Sequence, residues 1–188
     1  MIFVTVGTQL PFDRMISTID AWAVQTGRTD VFAQTGPSQY KPRAIQCAAF
    51  LPADECRQKI EQAELIIAHA GMGSIITALE LGKPILVMPR RCDLNEHRNN
   101  HQISTAIKLH EQGRIHVAMD EKELAERLTN IDSITSRCQV NRQASPQLLQ
   151  ALSDFVTRGK VPGRVVVTQP QHSALPPADL RPAGQTYR

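Results

Sequence analysis

Ile2-Phe3-Val4-Thr5-Val6 is an apolar, β-branched run without alternation, the pattern of a strand buried on both faces. Gly7-Thr8-Gln9 breaks it. Phe12, Met15, Ile16, Ile19 and Ala23 then recur at helical spacing up to Gly27, which predicts a helix closed by that glycine. Val31-Phe32-Ala33-Gln34 reads as a second strand ended by Gly36-Pro37, and a weaker third strand covers about 44–51. A polar helix follows Pro52 and runs to about Ala63. Leu65-Ile66-Ile67-Ala68 is a fourth strand leading straight into His69-Ala70-Gly71-Met72-Gly73-Ser74. Ile75, Ile76, Leu79 and Leu81 predict a helix stopped at Gly82, and Ile85 to Met88, set between Pro84 and Pro89, a fifth strand. Ile103, Ala106, Ile107 and His110 mark a helix closed by Gly113, before a short last strand from Ile115 to Ala118. Asp120 and Glu123 have capping-box spacing, and Ser145-Pro146 suits the cap and first turn of a final helix ending at Gly159.

Strands and helices alternate throughout, which predicts an α/β fold with a doubly wound, Rossmann-like parallel sheet. Ligands of such sheets bind beyond the carboxyl ends of the strands, so the loops after strands one, four and five carry the interest. The folded domain is expected to span 1–159. From 160 to 188 the chain is proline-rich and, after Val165-Val166-Val167, has no apolar period; this tail is expected to be disordered. The formal net charge of +3 falls on it through Lys160, Arg164, Arg181 and Arg188 against Asp179, leaving 1–159 neutral.

With 188 residues, 41% of them hydrophobic, there is enough for one ordinary core and too little for an enzyme that closes two nucleotide-binding halves on each other. No apolar run reaches membrane-spanning length. The N-terminus lacks the basic and small-residue features of a signal peptide, so a cytoplasmic location is expected. The four cysteines contain no C-x-x-C pair, which speaks against zinc or redox chemistry. Scattered basic residues and 4% aromatics give no nucleic-acid footprint.

Gly71 and Gly73 let the backbone of the fourth loop turn tightly at a helix N-terminus, where free N–H groups and the helix dipole favour an anion such as a diphosphate. Ser74 is expected either to cap that helix or to bond a phosphate oxygen. Gly7-Thr8-Gln9 ends at the same sheet edge, provided strands one and four are neighbours. The stretch from Pro89 to Gln102 is the densest polar segment, and its amides and imidazoles suit a ligand rich in hydroxyls, such as a sugar. His97 and His101 lie four apart beside Glu96 but lack a third ligand, so no metal site is expected. There is no P-loop, no G-x-S-x-G elbow and no full G-x-G-x-x-G, which disfavours nucleotide triphosphates, hydrolase chemistry and NAD.

Together His69-Ala70-Gly71-Met72-Gly73-Ser74, Glu80-Leu81-Gly82-Lys83-Pro84, Met88-Pro89-Arg90, Glu96 and Asn100-His101-Gln102 resemble the C-terminal, donor-binding domain of glycosyltransferase family 28. The likeness covers about residues 1–130. Within that family it is greatest to the small catalytic subunits of split transferases of bacterial exopolysaccharide synthesis and the dolichol pathway. The resemblance implies one donor-binding half of a GT-B enzyme that takes a UDP-sugar as substrate and needs no cofactor or metal. It implies a membrane-anchored partner that supplies the acceptor half and a polyprenyl-diphosphate-linked sugar, recruiting this chain to the inner face of the cytoplasmic membrane. Transfer of a hexosyl or glucuronosyl group, with inversion, is the expected reaction. Gly7, Thr8, Gly71, Gly73 and Ser74 would meet the diphosphate, Gln9 and His69 would also belong to the donor site, and Arg90, Glu96, Asn100, His101 and Gln102 would lie toward the sugar and uridine. Glu96 or His97 would be the base, or the partner would supply it. Thr77 stands where many members carry the glutamate that binds ribose. The alternative is a non-catalytic nucleotide-binding or regulatory subunit of the same fold.

Overall fold

A strand with no polar face must be covered on both sides, and Ile2–Thr5 (β1) is buried at every position. The computed structural model describes residues 1–136 and 146–158. After β1 come Asp13–Thr26 (α1), Val31–Gln34 (β2), Gln46–Ala48 (β3), Ala53–Gln62 (α2) and Leu65–His69 (β4). Met72–Glu80 (α3), Ile85–Met88 (β5), His101–Glu111 (α4), His116–Val117 (β6), Glu121–Thr129 (α5) and Pro146–Arg158 (α6) complete the described strands and α-helices. The six strands form one sheet in the order β3-β2-β1-β4-β5-β6, and every pairing is parallel. This is the doubly wound Rossmann-like order, whose direction of travel reverses between β1 and β4.

The alternation hidden in the uniformly apolar strands sorts two cores. Ile2, Val4, Ile67, Leu86 and Met88 pack on one face with Met15, Ile16 and Ile19 of α1 and Leu124 and Leu128 of α5. Phe3, Ile66, Ala68, Ile85 and Val87 pack on the other with Ile60 of α2, Ile75 and Leu79 of α3 and Ala106 of α4. Successive side chains of a strand point to opposite faces, so burial on both sides leaves no polar position to reveal the period.

Two strands are shorter than expected. β3 pairs only with β2, over Gln46, Cys47 and Ala48, because it is the sheet's edge and has no second neighbour to extend it. β6, at the opposite edge, is reduced to two residues, although Ala118 N still donates to Val87 O at 2.9 Å. The cap of α5 forms as its spacing suggests: Asp120 Oδ1 accepts from Glu123 N, and Glu123 Oε2 accepts from Met119 N.

The chain divides into two compact units, Met1–Val140 and Asn141–Arg188. The sheet and its five flanking helices belong to the first. The final helix, expected up to Gly159, is α6 of the second unit. It carries Leu149, Leu152, Phe155 and Val156 exposed at helical spacing. Ser145, Gly159 and the 160–188 tail lie outside the described residues. No helix among the described residues is long and apolar enough to cross a membrane.

A buried charge sets the approach to β3. Asp20 of α1 is 1% exposed, and its carboxylate accepts from Tyr40 Oη, Arg43 N, Ala44 N and Ile45 N at 2.8 to 3.2 Å. Burial raises its pKa, but the Ala44 and Arg43 N–H groups and the Tyr40 hydroxyl outweigh that and hold it below the usual value. Asp20→Ala removes the acceptor from all four donors and is expected to cost roughly 3 kcal/mol of stability in urea denaturation, with Asp20→Asn costing less.

Candidate functional site

The reversal between β1 and β4 opens a cleft of about 680 Å³ at the carboxyl edge of the sheet, a volume suited to a small-molecule ligand. The β1–α1 loop contributes Gly7, Thr8 and Gln9, and the β4–α3 loop His69, Gly71, Gly73 and Ser74. From beyond β5 come Arg90, His97 and Gln102. Glu96, Asn100 and His101 do not line the cavity. At the β2 end the wall includes Gln34, Leu51, Cys56 and Ile60. Sequence reasoning passed over these four. Gln34 was the findable one, being the only polar side chain at the carboxyl end of its strand.

His69 ends β4 with its imidazole lodged between the two glycine loops. A Cβ built on Gly7 would come within 2.8 Å of its Cε1, and one built on Gly71 equally close to that atom and nearer still to Nε2. Of the glycines expected to meet a ligand, Gly7 and Gly71 therefore first admit a side chain of the protein itself. Gly7 is doubly constrained because its φ is +75°; its N–H donates to Thr5 Oγ1 at 3.2 Å. The Nδ1 atom of His69 is buried with no hydrogen-bond partner. Desolvation, helped by the nearby Arg90 charge, pushes the ring's pKa down to about 4, so it is neutral near pH 7. A Cβ at Gly73, by contrast, meets nothing within 4 Å.

Gly71 occupies the cap position of α3 without any side-chain cap. Ser74 therefore does not cap the helix, as one of its two expected roles required; it is the third helical residue. The first N–H groups of α3 have no intrahelical acceptor, and Gly73 and Ser74 of that turn line the cavity. Uncapped donors at the positive end of a helix dipole make an anion seat. Thr77, one turn on, also lines the cavity and donates its hydroxyl to Gly73 O at 2.9 Å.

The charged residues beyond β5 are held differently from expectation. Arg90, assigned toward the sugar and uridine, is 3% exposed and donates to the carbonyls of Pro11, Val6 and Leu10 at 2.7, 2.7 and 2.6 Å. Its guanidinium lies over the Phe12 ring. Burial lowers its pKa, with Glu96 opposing the shift. Glu96, assigned both a base and a sugar contact, is clamped by Arg14, whose Nη2 lies 3.0 Å from Oε2, and it also accepts from Arg91 N at 2.9 Å. Arg14 reaches Pro89 O and Glu121 as well, so it pins the loop after β5 to α1. A contact spanning 82 residues has no local signature in the sequence. Asn100 accepts from Cys92 N at 3.0 Å, and His101 hydrogen-bonds the Asn99 side chain, so both shape the loop outside the cavity. His97 lines the cavity with its ring edge-on to His101, 4.5 Å between centroids. Among the described residues no group of three or more His, Cys, Asp or Glu is placed to hold a metal.

Gln102 is 4% exposed, and its Oε1 accepts from Arg90 N at 3.1 Å. A backbone N–H can only donate, so the amide is oriented with its NH2 group left for the cavity.

Two outcomes follow from the His69 slot. Gly71→Ala is expected to lower stability by about 2 kcal/mol through overpacking, and pairing it with His69→Ala to recover most of that loss in a double-mutant cycle. Gly7→Ala is not rescued in the same way, because its φ remains strained. The second outcome is in pH: the folded ring titrates at about 4 and the unfolded one near 6.5. Stability from neutral His69 is complete above the unfolded value and declines as pH falls toward 4, by on the order of 3 kcal/mol. Urea midpoints across that range measure it, and the decline is smaller in His69→Asn.

Comparisons place this geometry among known proteins. Human UDP-N-acetylglucosamine transferase subunit ALG13 is 32% identical over 129 residues, 61% of this chain and 10% of that protein; the chain thus spans about a tenth of the relative's length. The solution structure of an ALG13 shares the fold at TM-score 0.52 and 19% identity, over 80% of this chain and 93% of that one. MurG of Acinetobacter baumannii does so at TM-score 0.51 and 18% identity, over 70% of this chain and 41% of that one. The family model described as the glycosyltransferase family 28 C-terminal domain matches residues 1–156, and the chain belongs to that family.

Proposed function

We propose that this chain is the catalytic, donor-binding subunit of a two-component glycosyltransferase that moves a sugar from a UDP-sugar to a polyprenyl-diphosphate-linked acceptor in exopolysaccharide biosynthesis. The observation that carries the reading is the uncapped N-terminus of α3, with Gly73 and Ser74 in its first turn, opening into the same cleft as the Gly7 loop. Anionic diphosphate is what such an end binds, and diphosphate is the leaving group of this reaction.

Transfer breaks the bond from the anomeric carbon to the diphosphate oxygen and forms one to the acceptor oxygen on the opposite face, with inversion. The acceptor's proton passes to a general base. Glu96 is engaged by Arg14, which leaves His97 as this chain's candidate, or a group of the partner. Charge developing on the diphosphate meets fixed helix N–H groups, so no metal is required of the mechanism. Gln102 offers its amide N–H2 to a sugar hydroxyl. Arg90 is taken up by carbonyls and Arg91 by Asp93 at 2.6 Å, so neither guanidinium favours a glucuronosyl donor, and an uncharged hexose or N-acetylhexosamine fits better.

The partner in this proposal is a membrane-anchored subunit that supplies the acceptor half, recruits the chain to the inner face of the cytoplasmic membrane and covers the exposed apolar stripe of α6. The test is UDP binding and sugar transfer by this chain alone and co-expressed with its membrane partner. Failure of both preparations to bind UDP overturns the proposal. Gln102→Ala is expected to slow transfer by the complex roughly tenfold or more, the scale of one lost hydrogen bond to substrate. Unchanged transfer would point to a subunit that binds nucleotide without catalysing.

A further inference from the structure

The cleft continues past β1 to the carboxyl end of β2 and the first turns of α2, where its wall changes character. Leu51 and Ile60 are apolar there, Cys56 is a thiol, and the amide among them is Gln34. Gln34 is 4% exposed. Its Oε1 accepts from Thr5 Oγ1 at 3.4 Å and from Cys56 Sγ at 3.7 Å. Burial raises the Cys56 thiol above its ordinary pKa, which keeps its proton in place for donation. Two donors on one oxygen turn the amide nitrogen the other way, and Nε2 has no hydrogen-bond partner among the described residues. A lone N–H2 group on an otherwise apolar wall is the kind of fixed polar group that orients a ligand.

The position also says which part of the ligand it meets. β2 lies two strands from β4, roughly 10 Å at ordinary strand spacing, on the side away from the amide-rich loop after β5. A diphosphate on α3 with its sugar toward Gln102 sends its nucleoside toward β2. A nucleobase has apolar faces for Leu51 and Ile60 and a polar edge for an amide.

We propose that Gln34 is a specificity-determining residue of the donor site, its Nε2 donating to a carbonyl on the edge of the base. The assignment rests on the donor reading above and extends it to the nucleoside. A donor held in this orientation suits uracil, with a carbonyl at the edge, and disfavours cytosine, which carries an amino group at the corresponding place.

The experiment titrates UDP, CDP and inorganic pyrophosphate into wild type, Gln34→Glu and Gln34→Met, using the full chain or, where only the assembled enzyme binds UDP, the complex. Both variants are expected to weaken UDP about tenfold while leaving pyrophosphate within about twofold. The preference for UDP over CDP should shrink in Gln34→Met and move toward CDP in Gln34→Glu. Gln34→Met adds no charge and keeps the side-chain length, so it carries the comparison if the buried carboxylate of Gln34→Glu unfolds the domain. Equal weakening of UDP and pyrophosphate overturns the inference, because Gln34 would then only prop the Gly7 loop through Thr5. Unchanged UDP affinity in variants of a wild type that binds UDP overturns it alone. A wild type that binds no UDP in either preparation overturns the donor reading and this inference with it.

Discussion

Because β1 and β4 pair in parallel register, with Thr5 opposite Ala68, the loops leaving their carboxyl ends start one strand spacing apart, about 5 Å. His69 ends β4 and sends an imidazole into that space. Gly7 and Gly71 have no Cβ to meet it, and this is the constraint on which the site depends. Gly71 then falls at the cap of α3, where it has no side chain to satisfy the helix's first N–H groups. Those groups are left to whatever enters the cleft. The same steric requirement thus packs a neutral histidine and leaves an anion seat open beside it.

Around that seat, the charged side chains hold the architecture and the neutral ones remain available. Arg14, Arg90 and Glu96 are nearly buried, and a charge removed from water must be matched by partners. Carbonyls and one another are what they find, and in doing so they tie the loop after β5 to α1 and to the β1–α1 loop. Asp20, matched by backbone N–H groups and the Tyr40 hydroxyl, ties α1 to the approach to β3. Amides and hydroxyls bear a smaller desolvation penalty, so Gln102 and Gln34 can each satisfy the oxygen within the protein and leave the nitrogen facing the cavity. A site built this way presents neutral groups and a helix terminus to the cavity, with its charged side chains already matched.

Membership of a transferase family rests on the match along the chain, whereas the likeness to solved structures, at 18–19% identity, is one of fold. Folds of this kind host many chemistries, and the chemistry resides in the site. The uncapped α3 terminus and the oriented Gln102 amide are the features of this site on which a reading of its chemistry rests.

Local pattern determined a great deal. The four-residue runs that became β2 and β5, the glycine turn after β4 and the Asp120 cap were all readable, because each is decided by neighbours within a few positions. The extents of β3 and β6 were not, since an edge strand is only as long as its single partner allows. Adjacency of β1 and β4 was a condition the pattern could state and not settle. The partners of Arg14, Arg90 and Glu96 were invisible for the same reason: a buried ion pair is chosen by proximity in three dimensions, and it was the family resemblance that had placed Arg90 and Glu96 toward a ligand. The sequence by itself decided which segments would form strands and which loops would gather at the carboxyl edge of the sheet. Only the tertiary structure decided which polar groups in those loops were already satisfied by the protein and which were left for a ligand, because hydrogen-bond satisfaction is a property of neighbours in space.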